Sequence, residues 1–301
     1  MITPPSLHPG DRIAILAPAS AIKREYVDGA ARVITELGYE PVVMPTALAR
    51  HGSYSGTIAE RADDLRAAIT DPSISAILCA RGGYGCIHLV ELIEPELLRL
   101  HPKWIIGFSD ISILHAIAHR AGIVSVHASM CKHLAEFGAN DDATHRLFDI
   151  LTGTALPRYD VAPHPFNRTG TARGTLLGGN MATFMPLIGT DIDLVKPGSI
   201  LFIEDVGEAV YKVDRMMYQL RVSGRLHSLA GLIVGQFTEY NRDAANDLDI
   251  YDVIARATAD CPFPIAFDFP IGHIDANQPV PEGATASLSV TPAGASLTLT
   301  P

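Results

Sequence analysis

The segment Gly107-Phe108-Ser109-Asp110 ends an apolar run, Trp104-Ile105-Ile106, and a stretch of helical character, Ile111 to Ala121, follows at once. A buried strand that turns sharply into a helix leaves its turn residue at the carboxyl end of a sheet. A serine hydroxyl placed there is exposed, and the helix amino terminus behind it favours nearby negative charge. Gly107 lets such a turn close without a Cβ clash. The same serine is also a good helix N-cap, so the chemistry has to be argued from its partners. A serine nucleophile needs a base within hydrogen-bond reach and a third group to orient that base.

Two later segments offer those groups. Leu201-Phe202-Ile203-Glu204-Asp205 puts acids at the end of an apolar strand, where a carboxylate can be fixed in a partly dry site. Side chains alternate faces along a strand, so Glu204 and Asp205 cannot both point at one histidine, and Glu208 lies beyond Gly207. Phe269-Pro270-Ile271-Gly272-His273 leaves an imidazole on a loop that Gly272 can bend tightly. Arg81-Gly82-Gly83-Tyr84-Gly85 follows another apolar run, Ser75 to Ala80. A glycine-rich loop there exposes backbone N–H groups that suit a phosphate or an oxyanion. It lacks G-x-G-x-x-G, because His88 stands at the third position, so an oxyanion donor fits better than a dinucleotide site. Arg81 could hold a substrate carboxylate. His115 and His119 share a helix face at metal-ligand spacing, but with no third ligand in view they read as ordinary helix surface. Cys79 reads as core.

These residues need a scaffold. In the first half, Arg12–Ala17, Pro41–Met44, Ser75–Ala80, Trp104–Phe108 and Ile123–Val126 read as buried strands. Helical spacing marks Val27 to Leu37 and Ile58 to Ile69 between them. Such alternation predicts βαβ units and a largely parallel sheet, with ligands beyond the carboxyl ends of its strands. Thr152-Gly153-Thr154, Pro157, Pro163 and Pro165 then break the pattern. Beyond them come strands at 200–203 and 232–234, a helix with the stripe Val213, Met216, Met217 and Leu220, and a terminal hairpin over 284–290 and 295–299. The expected division is an α/β domain over 1–155, a linker over 156–172, and a second domain over 173–301.

Of the 301 residues, 48% are hydrophobic and 19% charged, and the net charge is 23 − 33 = −10. A nucleic acid is therefore a poor partner for the surface. The opening MITPPSLHPGDR lacks the basic and apolar regions of a Sec signal, and no apolar run is long enough to predict a membrane span. The cysteines at 79, 86, 131 and 261 form no C-x-x-C pair. A zinc cage or disulfide framework is not expected, and a cytoplasmic location is.

Taken together, G-F-S-D at 107–110, R-G-G-Y-G at 81–85, L-L-G-G-N at 176–180, F-I-E-D-V-G-E at 202–208 with D-R-M at 214–216, P-I-G-H at 270–273 and the opening G-D-R-I-A-I-L-A-P-A-S at 10–20 resemble the LD-carboxypeptidase family of serine peptidases. The resemblance spans nearly the whole chain in order. It implies a Ser-Glu-His triad at Ser109, Glu204 and His273, and in that scheme the expected oxyanion donors are the Asp110 N–H and an N–H of the 82–83 loop, assigned to Gly83. Substrate contacts are further expected at Arg81, the cation nearest the glycine-rich loop, and at Gly82 and Asn180. The implied fold is an amino-terminal α/β domain like that of class I glutamine amidotransferases with a smaller β-rich carboxyl-terminal domain. A homodimer is implied, and no metal or organic cofactor. The implied substrate is the murein tetrapeptide, which loses its terminal D-alanine during cell-wall recycling.

The nearest rival is the microcin C immunity branch of the same family, which cleaves a peptidyl-nucleotide-like toxin and stacks the base on a tryptophan in the carboxyl-terminal half. The sole tryptophan here is Trp104, before the nucleophile. An α/β-hydrolase would need G-x-S-x-G, and Ile111 stands where the second glycine belongs. A non-catalytic peptide-binding protein would not need all three triad positions occupied.

Overall fold

In the computed structural model, which describes residues 1–155 and 157–300, the apolar runs form thirteen strands among those residues. In chain order they are β1 (Arg12–Leu16), β2 (Glu40–Val43), β3 (Ile74–Cys79), β4 (Trp104–Gly107), β5 (Ser125–His127), β6 (Arg158–Val161), β7 (Gly170–Asn180), β8 (Ile200–Val206), β9 (Gly231–Thr238), β10 (Ile265–Ala266), β11 (Val280–Glu282), β12 (Thr285–Thr291) and β13 (Gly294–Thr300). The helices among them are α1 (Arg24–Glu36), α2 (Ile58–Thr70), α3 (Pro95–Leu100), α4 (Ser112–Ala121), α5 (Cys131–Phe137), α6 (Asp142–Thr152), α7 (Met181–Phe184), α8 (Val210–Val222) and α9 (Ile250–Ala257).

The chain divides into two units. The first comprises Met1–Ala155 with Asp275–Gly283, the second Leu156–Ile274 with Ala284–Pro301. Residues 275–283, which the sequence reading keeps with the second domain, thus belong to the first. The stretch read as a linker carries regular structure, because β6 pairs antiparallel with β13 and β7 begins at Gly170.

In the first unit the strand order is β11-β5-β4-β3-β1-β2, parallel throughout except for the antiparallel edge strand β11. Ile13, Ile15, Leu16, Ile77, Ile105 and Ile106 are essentially inaccessible. Burial of each such side chain contributes roughly 1.5–3 kcal/mol. Helix α1 turns Val27, Ala30, Val33 and Ile34 inward at helical spacing. Helix α2 starts with a capping box, in which the Thr57 hydroxyl accepts from the Glu60 N–H and the Glu60 carboxylate accepts from the Thr57 N–H. The sheet order reverses at β1, between β2 on one side and β3 on the other. Such a switch point is where open parallel sheets leave a crevice beyond their carboxyl ends.

The second unit holds a mixed sheet of order β10-β9-β8-β7-β12-β13-β6. Strands β7 to β10 run parallel, and β12, β13 and β6 extend the sheet as an antiparallel meander from β7.

Candidate active site

The first unit brings three loop ends together at its switch point. Strand β4 stops at Gly107, Phe108 is extended, and Ser109 has φ 65°, left-handed for a residue with a Cβ. That conformation costs about 1–2 kcal/mol in an L-residue and persists only where its surroundings impose it. Gly107 helps to impose it by close packing, since a Cβ there would meet Ile111 Cγ1 at 2.9 Å and Cys79 Cβ at 3.1 Å. Its carbonyl is fixed from two sides, accepting from the Ala128 N–H at 3.0 Å and from the His115 ring at 2.8 Å.

His115 is therefore not helix surface. It is fully buried, with Nδ1 2.8 Å from Ser125 Oγ and Nε2 on Gly107 O. A carbonyl can only accept, so Nε2 carries the proton and Nδ1 accepts from the serine hydroxyl. Burial pulls its pKa down to about 4, against the opposing pull of the Gly107 bond, so the ring is neutral. Its sequence spacing to His119 suggested a surface pair; the signal for its burial was the apolar character of α4 on nearly every side.

The glycine-rich loop lies against the serine. A Cβ on Gly82 would fall 2.9 Å from Ser109 Cβ, 3.1 Å from Ser109 Oγ and 3.1 Å from the Asp110 backbone nitrogen. The loop is tied to the end of β1, with the Ser20 N–H donating to Gly82 O and the Tyr84 N–H donating to Ser20 Oγ. Gly83 sits at φ 98°, where a Cβ would collide with the Ser20 hydroxyl. Arg81 is exposed, and one of its guanidinium nitrogens donates to Ala21 O at 2.9 Å. Ser109, Asp110, Arg81, Gly82 and Gly83 are thus neighbours in one unit.

In the second unit, Glu204 and His273 meet. The bend at Gly272, φ 133°, brings the loop within reach, because a Cβ there would lie 3.1 Å from Glu204 Oε2. His273 Nδ1 is 2.7 Å from that oxygen, Glu204 is fully buried, and the His273 side chain is 21% exposed. A carboxylate accepts, so Nδ1 donates to it, and in the neutral ring the lone pair is on Nε2. Burial lowers the His273 pKa, but the bond and charge of Glu204, with Asp205 and Glu239, outweigh it and hold the imidazole above its ordinary 6.5.

Asp205 faces elsewhere. Its carboxylate accepts from Asn180 Nδ2, the Ala182 N–H and the Val206 N–H. Burial and then the charge of Glu204 raise its pKa to about 6. Asn180 also caps α7 by accepting from the Thr183 N–H and hydroxyl. The amide read as a substrate contact is engaged within its own unit.

One His/Asp/Cys cluster among the described residues, His227, Asp260 and Cys261, has ligand atoms within 4.8 Å of one another. Both Asp260 oxygens are already held by the Arg221 guanidinium at 2.6 and 2.7 Å, so the donor set is a poor match for a cation. No helix among the described residues is long and apolar enough to cross a membrane.

Comparison with known proteins places this architecture. The LD-carboxypeptidase N-terminal domain matches residues 13–128 and its C-terminal domain residues 173–288. The chain belongs to the LD-carboxypeptidase family and is a hydrolase of the carboxypeptidase type. It is 32% identical to the murein tetrapeptide carboxypeptidase of Pseudomonas aeruginosa over 92% of each chain. Its fold matches the muramoyltetrapeptide carboxypeptidase of Oxalobacter formigenes with a TM-score of 0.85 at 27% identity, covering 96% of this chain and 99% of the other. The microcin C7 self-immunity protein in complex with aspartyl sulfamoyl adenosine matches with a TM-score of 0.86 over 99% and 98% of the two chains. At 20% identity that likeness is one of fold.

Proposed function

We propose that this chain is a serine LD-carboxypeptidase that removes the terminal D-alanine of murein tetrapeptide, with Ser109 as nucleophile, His273 as its base and Glu204 as the group that orients the imidazole. The observation that carries the reading is the left-handed backbone at Ser109, a strained turn at the carboxyl end of β4 with the 82–83 loop against its hydroxyl. Nε2 of His273 takes the serine proton as Oγ attacks the scissile carbonyl, and Glu204 stabilises the imidazolium. The N–H groups of Asp110 and Gly83 hold the developing oxyanion, each worth about 2.7–4 kcal/mol by analogy. The imidazolium then protonates the leaving D-alanine nitrogen, and water, deprotonated by the same ring, hydrolyses the acyl-serine. Arg81 is assigned the terminal carboxylate, which a guanidinium binds better than an ammonium does. A cytoplasmic homodimer belongs to the same reading.

Against toxin cleavage stands Trp104, the sole tryptophan. It is buried in β4 with its indole N–H on Pro5 O, out of position to stack a nucleobase.

The deciding assay offers purified protein the tetrapeptide, its D-alaninamide and an aminoacyl sulfamoyl nucleotide, alongside Ser109→Ala. D-alanine release from the free acid alone, abolished in the variant, is the expected result. Preferential cleavage of the nucleotide, or turnover that survives in Ser109→Ala, would reject it.

A further inference from the structure

Among the described residues, Arg61 is the largest side chain with less than 2% exposure, at 1%. It reaches inward from α2, and its hydrogen bonds go to backbone carbonyls. Nη1 donates to Pro18 O at 2.7 Å and Gly85 O at 2.9 Å, and Nε donates to Gly56 O at 3.3 Å. Its guanidinium lies 5.1 Å from the Tyr54 ring centroid. Gly85, at φ 136°, leaves room for it, since a Cβ there would stand 2.8 Å from Nη1. Isolating a guanidinium from water is costly, and a core position for general stability is better filled by an apolar residue. What this arginine does is join three loop carbonyls, one after β1, one before α2 and one at the end of the glycine-rich loop.

The buried carboxylate of Asp110 works on the same loop from the other side. Its Oδ2 accepts from the Cys86 N–H at 2.8 Å, one residue after the carbonyl that Arg61 holds. Asp110 is 4% exposed and lies within the electrostatic reach of Arg61. The two charges grip consecutive residues, Gly85 and Cys86, and Asp110 is itself covalently next to Ser109. The Gly82 end of the loop lies against Ser109, and the Cys86 end is tied to Ser109's neighbour.

We propose that Arg61 and Asp110 are positioning residues, two buried side chains whose hydrogen bonds clamp the far end of the 82–86 loop and so preset its N–H groups beside the Ser109 hydroxyl. An oxyanion hole works because its donors are in place before charge develops, and a misplacement of about 1 Å can lower turnover by about 10²-fold. Because the oxyanion exists only in the transition state, loosening the clamp should lower kcat while leaving KM in place.

The proposal rests on Ser109 being the nucleophile, so Ser109→Ala is assayed beside the clamp variants with murein tetrapeptide as substrate. Full turnover in Ser109→Ala would sink the nucleophile reading and this inference with it, whatever the other variants do. With Ser109→Ala inactive, Asp110→Ala and Arg61→Met should each lower kcat by about 10²-fold per folded molecule with KM nearly unchanged. Asp110→Asn, whose amide oxygen can still accept from the Cys86 N–H, should recover most of what Asp110→Ala loses. If Arg61→Met does not fold, Arg61→Lys replaces it with the same expectation, because lysine carries its donors on one terminal nitrogen and lacks the separate Nε–H that holds Gly56 O. A rise in KM at constant kcat, or an Asp110→Asn no better than Asp110→Ala, would overturn the clamp.

Discussion

Gly82→Ala is the sharpest single test of the nucleophile turn. The added methyl would lie 2.9 Å from Ser109 Cβ and 3.1 Å from both Ser109 Oγ and the Asp110 nitrogen, whereas ordinary contact begins at 3.4 Å. At least 3.4 − 2.9 = 0.5 Å of displacement is therefore required between the loop and the serine. None of the three atoms is the free end of a long side chain, and Ser109 is held by the packing of Gly107 behind it. The methyl would also occupy space beside the Asp110 N–H, where the proposed mechanism puts the oxyanion. Loss of one donor lowers turnover by about 10²–10³-fold, and overpacking of this kind destabilises by roughly 1–3 kcal/mol. The expected outcome is a folded protein with a modestly lower Tm and kcat reduced by at least about 10²-fold. Steady-state release of D-alanine, measured well below the variant's Tm, reads the first effect apart from the second. A variant with the parent's kcat would show that the space over Ser109 is not where the reaction occurs.

The remaining predictions concern the acids of the second unit. His273 must be neutral to act as base, and its pKa lies above 6.5, so kcat/KM should fall as pH drops through a limb centred above that value. Glu204→Gln removes the largest influence that raises the pKa; it should move the limb to lower pH and cut kcat on the order of 10³–10⁴-fold. Asp205→Asn should leave turnover much nearer the parent, and a larger loss there than in Glu204→Gln would mean the wrong carboxylate has been chosen. Asp205 has its own signature in stability. Its folded pKa of about 6 exceeds the ordinary 3.8, so the protonated form favours the fold, and its contribution is full below 3.8 and lost as pH rises through 6. Denaturation from pH 4 to 7 should show a parent-minus-variant stability that declines by on the order of 2–3 kcal/mol across that window; a flat difference would contradict the raised pKa.

Much of the first unit was readable because its strands are short apolar runs buried on both faces, separated by helices of clear periodicity. The turn at Ser109 was readable for the same reason: an apolar run, a glycine and a helix leave the chain little choice. What escaped notice was set by partners distant in sequence. Strand β7 begins polar and ends in glycines, a composition that argues for a loop. Gly178 is there because β8 passes so close that a Cβ would fall 1.9 Å from Phe202 O. Strand β6, flanked by prolines, exists through pairing with β13 more than a hundred residues later. Strand β11 contains Pro281 and is tolerated as an edge. Arg61 carried no sequence signal at all, since an arginine on an amphipathic helix normally faces water.

The excursion of residues 275–283 into the first unit bears on how the chain is made. Val280 pairs with His127, 280 − 127 = 153 residues back. During synthesis the parallel sheet that carries Ser109 must therefore wait, with the edge of β5 unpaired, until residues 280–282 have left the ribosome. An open strand edge invites pairing with other chains, and contacts of such separation form slowly. A nascent or truncated 1–155 fragment should accordingly be the species that chaperones hold and that aggregates, while the finished chain closes its own edge.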